Sequence, residues 1–425
     1  MAAYLKQGIS PEQSNAVDKK IRAAVETILD KVEQDGEEAV RRYSQQFDHW
    51  SPVAFRLQPE EIAGLVAQVP QQTLQDIEFA QAQVRKFAEA QRQTIRALEV
   101  ELQPGVTLGH RILPVNSVGC YIPGGRYPLV SSAHMSIIPA KVAGVKRVIA
   151  CTPPAQGKLP AATVAAMALA GADEIYILGG VQAVAAMAIG TQSIQAVDMI
   201  IGPGNAYVAE AKRQLYGRVG IDLFAGPSEV LVIADESIDA QLVAADLLGQ
   251  AEHGVNSPAV LLTTSAELGR TTLVEIENQL KMLPTADIAA AAWRDYGQVI
   301  LVADEAEAVR EADRLAFEHV EVLTKNPRYF LERLTNYGSL FLGPETTVPY
   351  GDLVIGTNHI LPTRGAARYT GGLWVGKFLK TLTYQQCTPQ ASRLVGEYCS
   401  RLSELEGIWG HKEQADLRVR RYAGE

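Results

Sequence analysis

The stretch RVIACTPPAQGKLPAATVAAMALAGADEIYILGGVQAVAAMAIGTQSIQAVDMIIGPGN (147–205) decides the fold class. Three short apolar runs, at 147–151, 174–178 and 199–201, alternate with Ala-rich runs at 160–170 and from Val181. The short runs end in glycine turns, Gly179-Gly180 and Gly202-Pro203-Gly204, and read as buried strands. The Ala-rich runs are long enough for helices. Strand and helix in alternation imply a parallel sheet with helices on its faces. Right-handed crossovers leave few topologies for it.

The rhythm continues outward. Asn205–Leu215 reads as a helix and Val230–Ala234 as a strand. A second series follows, with helices at Leu242–Glu252, Leu268–Leu283 and Glu305–Ala316. Its strands are read at Ala259–Thr264, Gln298–Val302, Val320–Thr324 and Ser339–Leu342. Upstream, 18–47 and 59–100 carry apolar residues at helical spacing among Glu, Gln and Arg. After Gly372 the pattern returns to helix and ends in the basic Arg418–Arg421.

Composition excludes several classes. The 425 residues are 47% hydrophobic and 20% charged, which is ordinary for a globular protein and not for a disordered or coiled-coil chain. A net charge of −9 argues against a protein held on nucleic-acid phosphates. Cys120, Cys151, Cys387 and Cys399 show no CxxC spacing, so a reducing compartment is expected. MAAYLKQGIS has no secretory pattern, and no run reaches about 18 apolar residues, so neither export nor a membrane span is expected. The expected location is cytoplasmic.

The chemistry-bearing residues fall in turns and helix ends. The turns at 122–125 and 202–205 let backbone approach a ligand, and the following helix would offer N–H groups to an anion; simple turn chemistry is the other reading. Gln250 and His253 share a helix face, as a helix-end cap or as metal ligands. Glu318-His319 is either an exposed pair or a proton acceptor beside a carboxylate that acts on water. Asp352 and His359 lie in a Gly-, Thr- and Asn-rich loop, where function concentrates and Asx-turns also occur. Glu406 and His411 bracket Gly-Ile-Trp-Gly near the end of the chain. His49 and His110 read as structural.

Together these pieces resemble the histidinol dehydrogenase family from about Val17 to Arg421. The carrying stretches are VGCYIPGG (118–125), IPAKVAGV (138–145), GPGNAYVAEAK (202–212) and VGIDLFAGPSEVLVIAD (219–235). DLLGQAEHG (246–254), EHVEV (318–322) and GTNHILPT (356–363) complete the set. The resemblance implies one zinc, held by Gln250, His253, Asp352 and His411. It implies Glu318 and His319 as proton acceptors, and NAD contacts at Tyr121, Gln182 and Asn205. Substrate contacts would include Ser228, His319, His359 and Glu406 beside the zinc ligands. The implied fold is α/β, with two incomplete Rossmann-like domains of parallel sheet and helical terminal segments swapped in a homodimer. The expected division is an arm at 1–17, one domain from 18–120 with 235–372, a second at 121–234, and a helical tail at 373–425. His411 and Glu406 would then reach the partner's site.

Departures bear on substrate. Arg126-Tyr127 follows the Gly124-Gly125 turn, and His134 precedes Met135 where the family usually has an apolar residue. The stretch 364–377, with WRDYGQVIL (293–301) and TNYGSLFLG (335–343), resembles a paralogous branch whose known activity is sulfopropanediol 3-dehydrogenase. Arg126, Arg364 and Arg368 suit an anionic group or serve as surface and structural arginines. The expectation is a zinc- and NAD-dependent oxidation of a primary alcohol, through the aldehyde to the acid with two NAD. The expected substrate is a small anionic diol such as 2,3-dihydroxypropane-1-sulfonate. Conversion of histidinol to histidine is the alternative, and a non-catalytic metal- or nucleotide-binding homologue a remote one.

Overall fold

A computed structural model describes residues 3–8, 15–124, 128–223 and 226–424 of the chain. In chain order the strands begin with β1 (Ala3–Lys6), β2 (Leu98–Gln103), β3 (Val106–Pro114) and β4 (Ser117–Tyr121). Next come β5 (Arg147–Thr152), β6 (Glu174–Ile177), β7 (Met199–Ile201), β8 (Gly220–Ile221) and β9 (Val230–Ala234). The last are β10 (Ala259–Thr263), β11 (Gly297–Leu301), β12 (His319–Leu323), β13 (Ser339–Leu342) and β14 (Leu379–Cys387).

Two parallel sheets organise the molecule. One runs β6-β5-β4-β7-β8; the other runs β11-β10-β9-β12-β13, with β1 added antiparallel on the β11 edge. Numbered within each sheet, both have the order 3-2-1-4-5, so the two halves share one winding. Their central strands are buried throughout: VLVIA at β9 and AVLLT at β10 expose nothing appreciable. That is what continuous apolar runs require when helices cover both faces. A third, antiparallel sheet, β14-β3-β2, stands apart from them.

Several expectations are corrected. The arm at 1–17 is not helical throughout: Ala3–Lys6 is a strand, and the first helix begins only at Asn15. The tail at 373–425 contains a nine-residue strand, β14, before its two helices, Pro389–Leu405 and Trp409–Arg421. The cores also divide differently from the expected grouping of 18–120 with 235–372. Val25, Val32 and Val40 pack with Ile149, Val184 and Leu215, while Leu57, Ile77 and Val84 pack with Val118, Ile138 and Met167. The N-terminal helices therefore clothe the β4–β8 sheet. The reason is amphipathicity: each helix has one apolar stripe, and that sheet has the uncovered face. Among the described residues, no helix is long and apolar enough to cross a membrane.

Candidate active site

A cavity of about 790 Å³ lies between the two parallel sheets. Its walls come from opposite strand ends. Pro123, Gly124 and Gly204–Tyr207 follow β4 and β7, at the carboxyl end of the first sheet around its switch point. Gln250, His253, Ser257, Ser228, Glu318 and His319 precede or open β10, β9 and β12, at the amino end of the second sheet. Asp352, His359 and Leu361 close the wall from the loop after β13.

The expected catalytic pair is central and buried. His319 Nδ1 faces the Glu229 carbonyl at 3.2 Å and Glu318 Oε2 at 3.4 Å, and Nε2 faces Asp352 Oδ1 at 3.3 Å. Burial acts to lower the imidazole's pKa, but the Glu318 and Asp352 carboxylates outweigh it and hold it well above the usual range. Burial raises the Glu318 carboxyl, against the pull of His319. His319, His359 and His253 together outweigh burial at Asp352 and keep it low. His253 and His359 are both lowered by burial. His359 donates from Nδ1 to the Asp352 carbonyl at 3.0 Å and accepts from the Ser132 hydroxyl at Nε2, 3.1 Å away.

The zinc expectation was tested against these residues. Gln250, His253 and Asp352 line the cavity, and the buried Gln250 amide has a nitrogen without a hydrogen-bond partner. The two ends of an amide are assigned from the surrounding network, so this orphaned end fits an amide turned to present oxygen to a cation. Imidazole, carboxylate and amide oxygen are a donor set zinc accepts. Among the described residues no group of three or more His, Cys, Asp or Glu is placed to hold a metal alone. His411 and Glu406 are exposed on the C-terminal hairpin, away from the cavity of their own chain.

The residues expected to contact a dinucleotide are split. Asn205 lines the cavity and caps the helix Ala206–Leu215, its Oδ1 accepting from Tyr207 and Val208 N–H at 3.0 and 3.1 Å. Tyr121 is buried behind it, accepting at its hydroxyl from Gly180 N–H at 3.1 Å, with burial pushing the phenol up to about 12. Gln182 donates to Asp48 at 3.0 Å and has a buried Oε1 without a partner; neither it nor Tyr121 is among the residues lining the cavity. Gly202 has φ +117°, and a Cβ there would run into the Tyr121 carbonyl oxygen, so the turn requires glycine.

Neither Arg364 nor Arg368 is among the residues that line this cavity. Arg126 lies outside the described residues. Arg368 donates to the Arg314 carbonyl at 3.2 Å. Arg364 borders a smaller cleft of about 120 Å³, which shares Ala206 and Gly226 with the main cavity. Sequence reading passed over Ser132, Asp246 and Glu229. Asp246 lines the cavity and accepts from the Thr347 hydroxyl at 3.2 Å. Glu229 had one signal, a carboxylate opening the wholly apolar strand VLVIA.

This is a two-lobed α/β protein with a histidine–carboxylate cleft where the lobes meet. A histidinol dehydrogenase family model matches residues 11–419, and the chain belongs to that family. A "Histidinol dehydrogenase homolog" of Shouchella clausii is 64% identical over 99% of this chain and 100% of its own length. The sulfopropanediol 3-dehydrogenase of Ruegeria pomeroyi is 45% identical over 99% of this chain and 96% of its own. The crystal structure of histidinol dehydrogenase from Elizabethkingia anophelis superposes with TM-score 0.90 at 34% identity, over 95% of this chain and 93% of that one. The family is NAD-dependent and zinc-binding.

Proposed function

We propose that this chain oxidises a primary alcohol to the carboxylate at the cavity between its sheets, using two NAD, as a homodimer. The observation that carries the reading is the convergence of Ser228, Gln250, His253, Glu318, His319, Asp352 and His359 on one cavity, with Asn205 on the facing lobe. Gln250, His253 and Asp352 would hold zinc with His411 of a second copy. Bound there, zinc supplies Lewis acidity that orients the substrate oxygen and stabilises its negative charge. The chain's own residues do the rest. With Asp352 given over to zinc, one of the two carboxylates that keep His319 protonated would be withdrawn, and His319, fixed at Nδ1 by the Glu229 carbonyl, would take the hydroxyl proton at Nε2 as the alcohol carbon gives up hydride. The second oxidation needs water added to the aldehyde. Glu318, whose carboxylate burial makes more basic, accepts that water's proton. Ser228, His359 and Glu406 of the second copy contact the substrate, with Tyr121, Gln182 and Asn205 toward the dinucleotide. Buried free Cys120 and Cys151 are in keeping with a cytoplasmic setting.

The substrate assigned is a small anionic diol of the 2,3-dihydroxypropane-1-sulfonate kind. The 45% identity to sulfopropanediol 3-dehydrogenase and Arg126 beside the Gly124-Gly125 turn support it. One observation favours histidinol instead. The described lining holds Asp246, Glu252, Glu318 and Asp352 and no lysine or arginine, a lining suited to a cation. NADH formation from a panel of L-histidinol, the sulfonate diol and neutral diols separates the two. Turnover of the sulfonate well above histidinol supports the assignment, and the reverse returns the protein to histidinol oxidation. No NADH from any member, with zinc present, leaves only a non-catalytic homologue.

A further inference from the structure

We infer that Glu229 is the positioning residue of the Glu318–His319 pair. Its main chain orients both side chains, and its carboxyl ties that main chain to the turn at Arg364. The inference rests on the proposed alcohol oxidation for its meaning, though its geometry can be tested separately.

Three polar groups of Glu229 are engaged. Its N–H donates to Glu318 Oε2 at 3.0 Å. Its carbonyl accepts from the His319 N–H at 3.3 Å and faces the His319 ring at Nδ1, 3.2 Å away. Its Oε1 accepts from the Arg364 N–H at 3.1 Å. The carbonyl accepts only, so with Glu318 it holds the ring through an Nδ1–H, which turns Nε2 to Asp352 at the cavity. This is the role of an orienting third group beside a base, filled by main chain rather than an aspartate.

The carboxyl keeps that main chain in place. Arg364 stands in the left-handed region at φ +55°, unusual for a side-chain-bearing residue, and its N–H points at Glu229. Gly226 N–H donates to the Thr363 hydroxyl beside it. These two bonds brace the segment carrying Ser228 against the loop carrying His359. A brace alone does not require an ionisable group, yet Glu229 is buried with Glu318 and His319 facing it from β12 and the Arg364 main chain from the loop. Burial and then Glu318 push its carboxyl up to about 8. At pH 7 it is mainly neutral, and above pH 8 it would place a second negative charge beside Glu318.

The test uses the zinc-loaded full-length enzyme with its best alcohol from the panel. Glu229→Ala should lower kcat by roughly 10- to 100-fold, the scale of misplacing a reacting group by about 1 Å, with KM for NAD changed less than threefold. Glu229→Gln, whose amide oxygen can still accept from Arg364, should restore most of kcat at pH 7. The wild type should show an alkaline inflection near pH 8, and Glu229→Gln should lack it. A Glu229→Ala enzyme with wild-type kcat would overturn the proposal. So would a folded Glu229→Gln enzyme whose pH profile matches the wild type, and this variant serves if the alanine chain does not fold. ¹⁵N histidine spectra give a readout that needs no turnover. The wild type should show a single hydrogen-bonded His319 Nδ1–H resonance, and Glu229→Ala a shifted or broadened one. If no alcohol is oxidised but the spectra behave so, the proposed function fails and the positioning stands. Unchanged spectra overturn the positioning whatever the activity.

Discussion

Lys212 and Asp222 form an ion pair that is almost wholly buried. The pair also holds the turn at Gly202 from both sides. Lys212 Nζ donates to the Gly202 carbonyl at 2.8 Å, and Gly202 N–H donates to Asp222 Oδ2 at 2.8 Å. That turn leads to Asn205 and backs on Tyr121, so the charges position the wall proposed for the dinucleotide. Removing one partner of such a pair leaves an uncompensated buried charge and costs about 3–5 kcal/mol. Lys212→Met should therefore lower Tm sharply and raise KM for NAD more than it lowers kcat. Lys212→Met with Asp222→Asn should recover stability but not the KM. Calorimetry and NAD titrations check both; a single variant with unaltered KM would mean the turn does not serve the dinucleotide. At the catalytic pair, His319→Ala should cut kcat by about 10²–10⁴-fold, the usual contribution of a general base. Glu318→Gln should chiefly slow oxidation of the aldehyde, followed by supplying aldehyde directly. Equal loss in both half reactions would refute that division of labour.

At the scale of elements, β12 carries three functions in five residues. Glu318 and His319 stand at its start, and Glu321, on the same face as His319, is buried and accepts from Val348 N–H at 2.8 Å. That bond secures the helix Val348–Leu353, which carries Asp352. Burial and then Asp246 push the Glu321 carboxyl up to about 8, from 4.5. Between those values the folded chain keeps a proton that the unfolded chain has lost, so stability falls as pH rises through the window. Glu229 acts in the same direction. Melting temperature should thus decline from pH 5 to pH 8, and Glu321→Gln should flatten the decline; an equal slope in the variant would show that Glu321 titrates normally. Much of the element pattern was legible beforehand. The strands at 199–201, 230–234 and 339–342 fall where short apolar runs between turns placed them. β14 was misread as helix because LKTLTYQQC is exposed along nearly all its length. It has no buried face to leave a period of two, and its ladder with β3 alone makes it a strand. β1 is hidden for a similar reason: only pairing with β11 defines it. Glu318–His319 could be singled out as a candidate pair because an acid and an imidazole stand together at the start of a strand, while the role proposed for Glu229 runs through its main chain, which no side-chain pattern records.

At the scale of the whole molecule, the hairpin of Pro389–Leu405 and Trp409–Arg421 raises the question of its partner. The two helices pack mainly on each other, with lesser contact to β14, and leave Tyr398, Leu402, Leu405 and Trp409 largely exposed. A face of that kind marks an interaction surface. His411 stands on this hairpin while Gln250, His253 and Asp352 wait at the cavity. Resemblance alone had placed these four together, since no spacing in the sequence links residue 253 to residue 411. If the hairpin enters the site of a second copy, each site takes His253 from one chain and His411 from the other. Neither His253→Ala nor His411→Ala should then be active alone. A fully exchanged equal mixture should contain heterodimers in half its population, each with one intact site. Activity should return to about a quarter of the wild type, the fraction a twofold-symmetric dimer allows. Zinc content should rise in parallel, a readout independent of substrate. Exchange must be demonstrated separately, by mass spectrometry of differently tagged chains. A mixture shown to have exchanged yet still inactive and without added zinc would mean that each hairpin closes its own chain's site. The exposed apolar face would then need a different occupant.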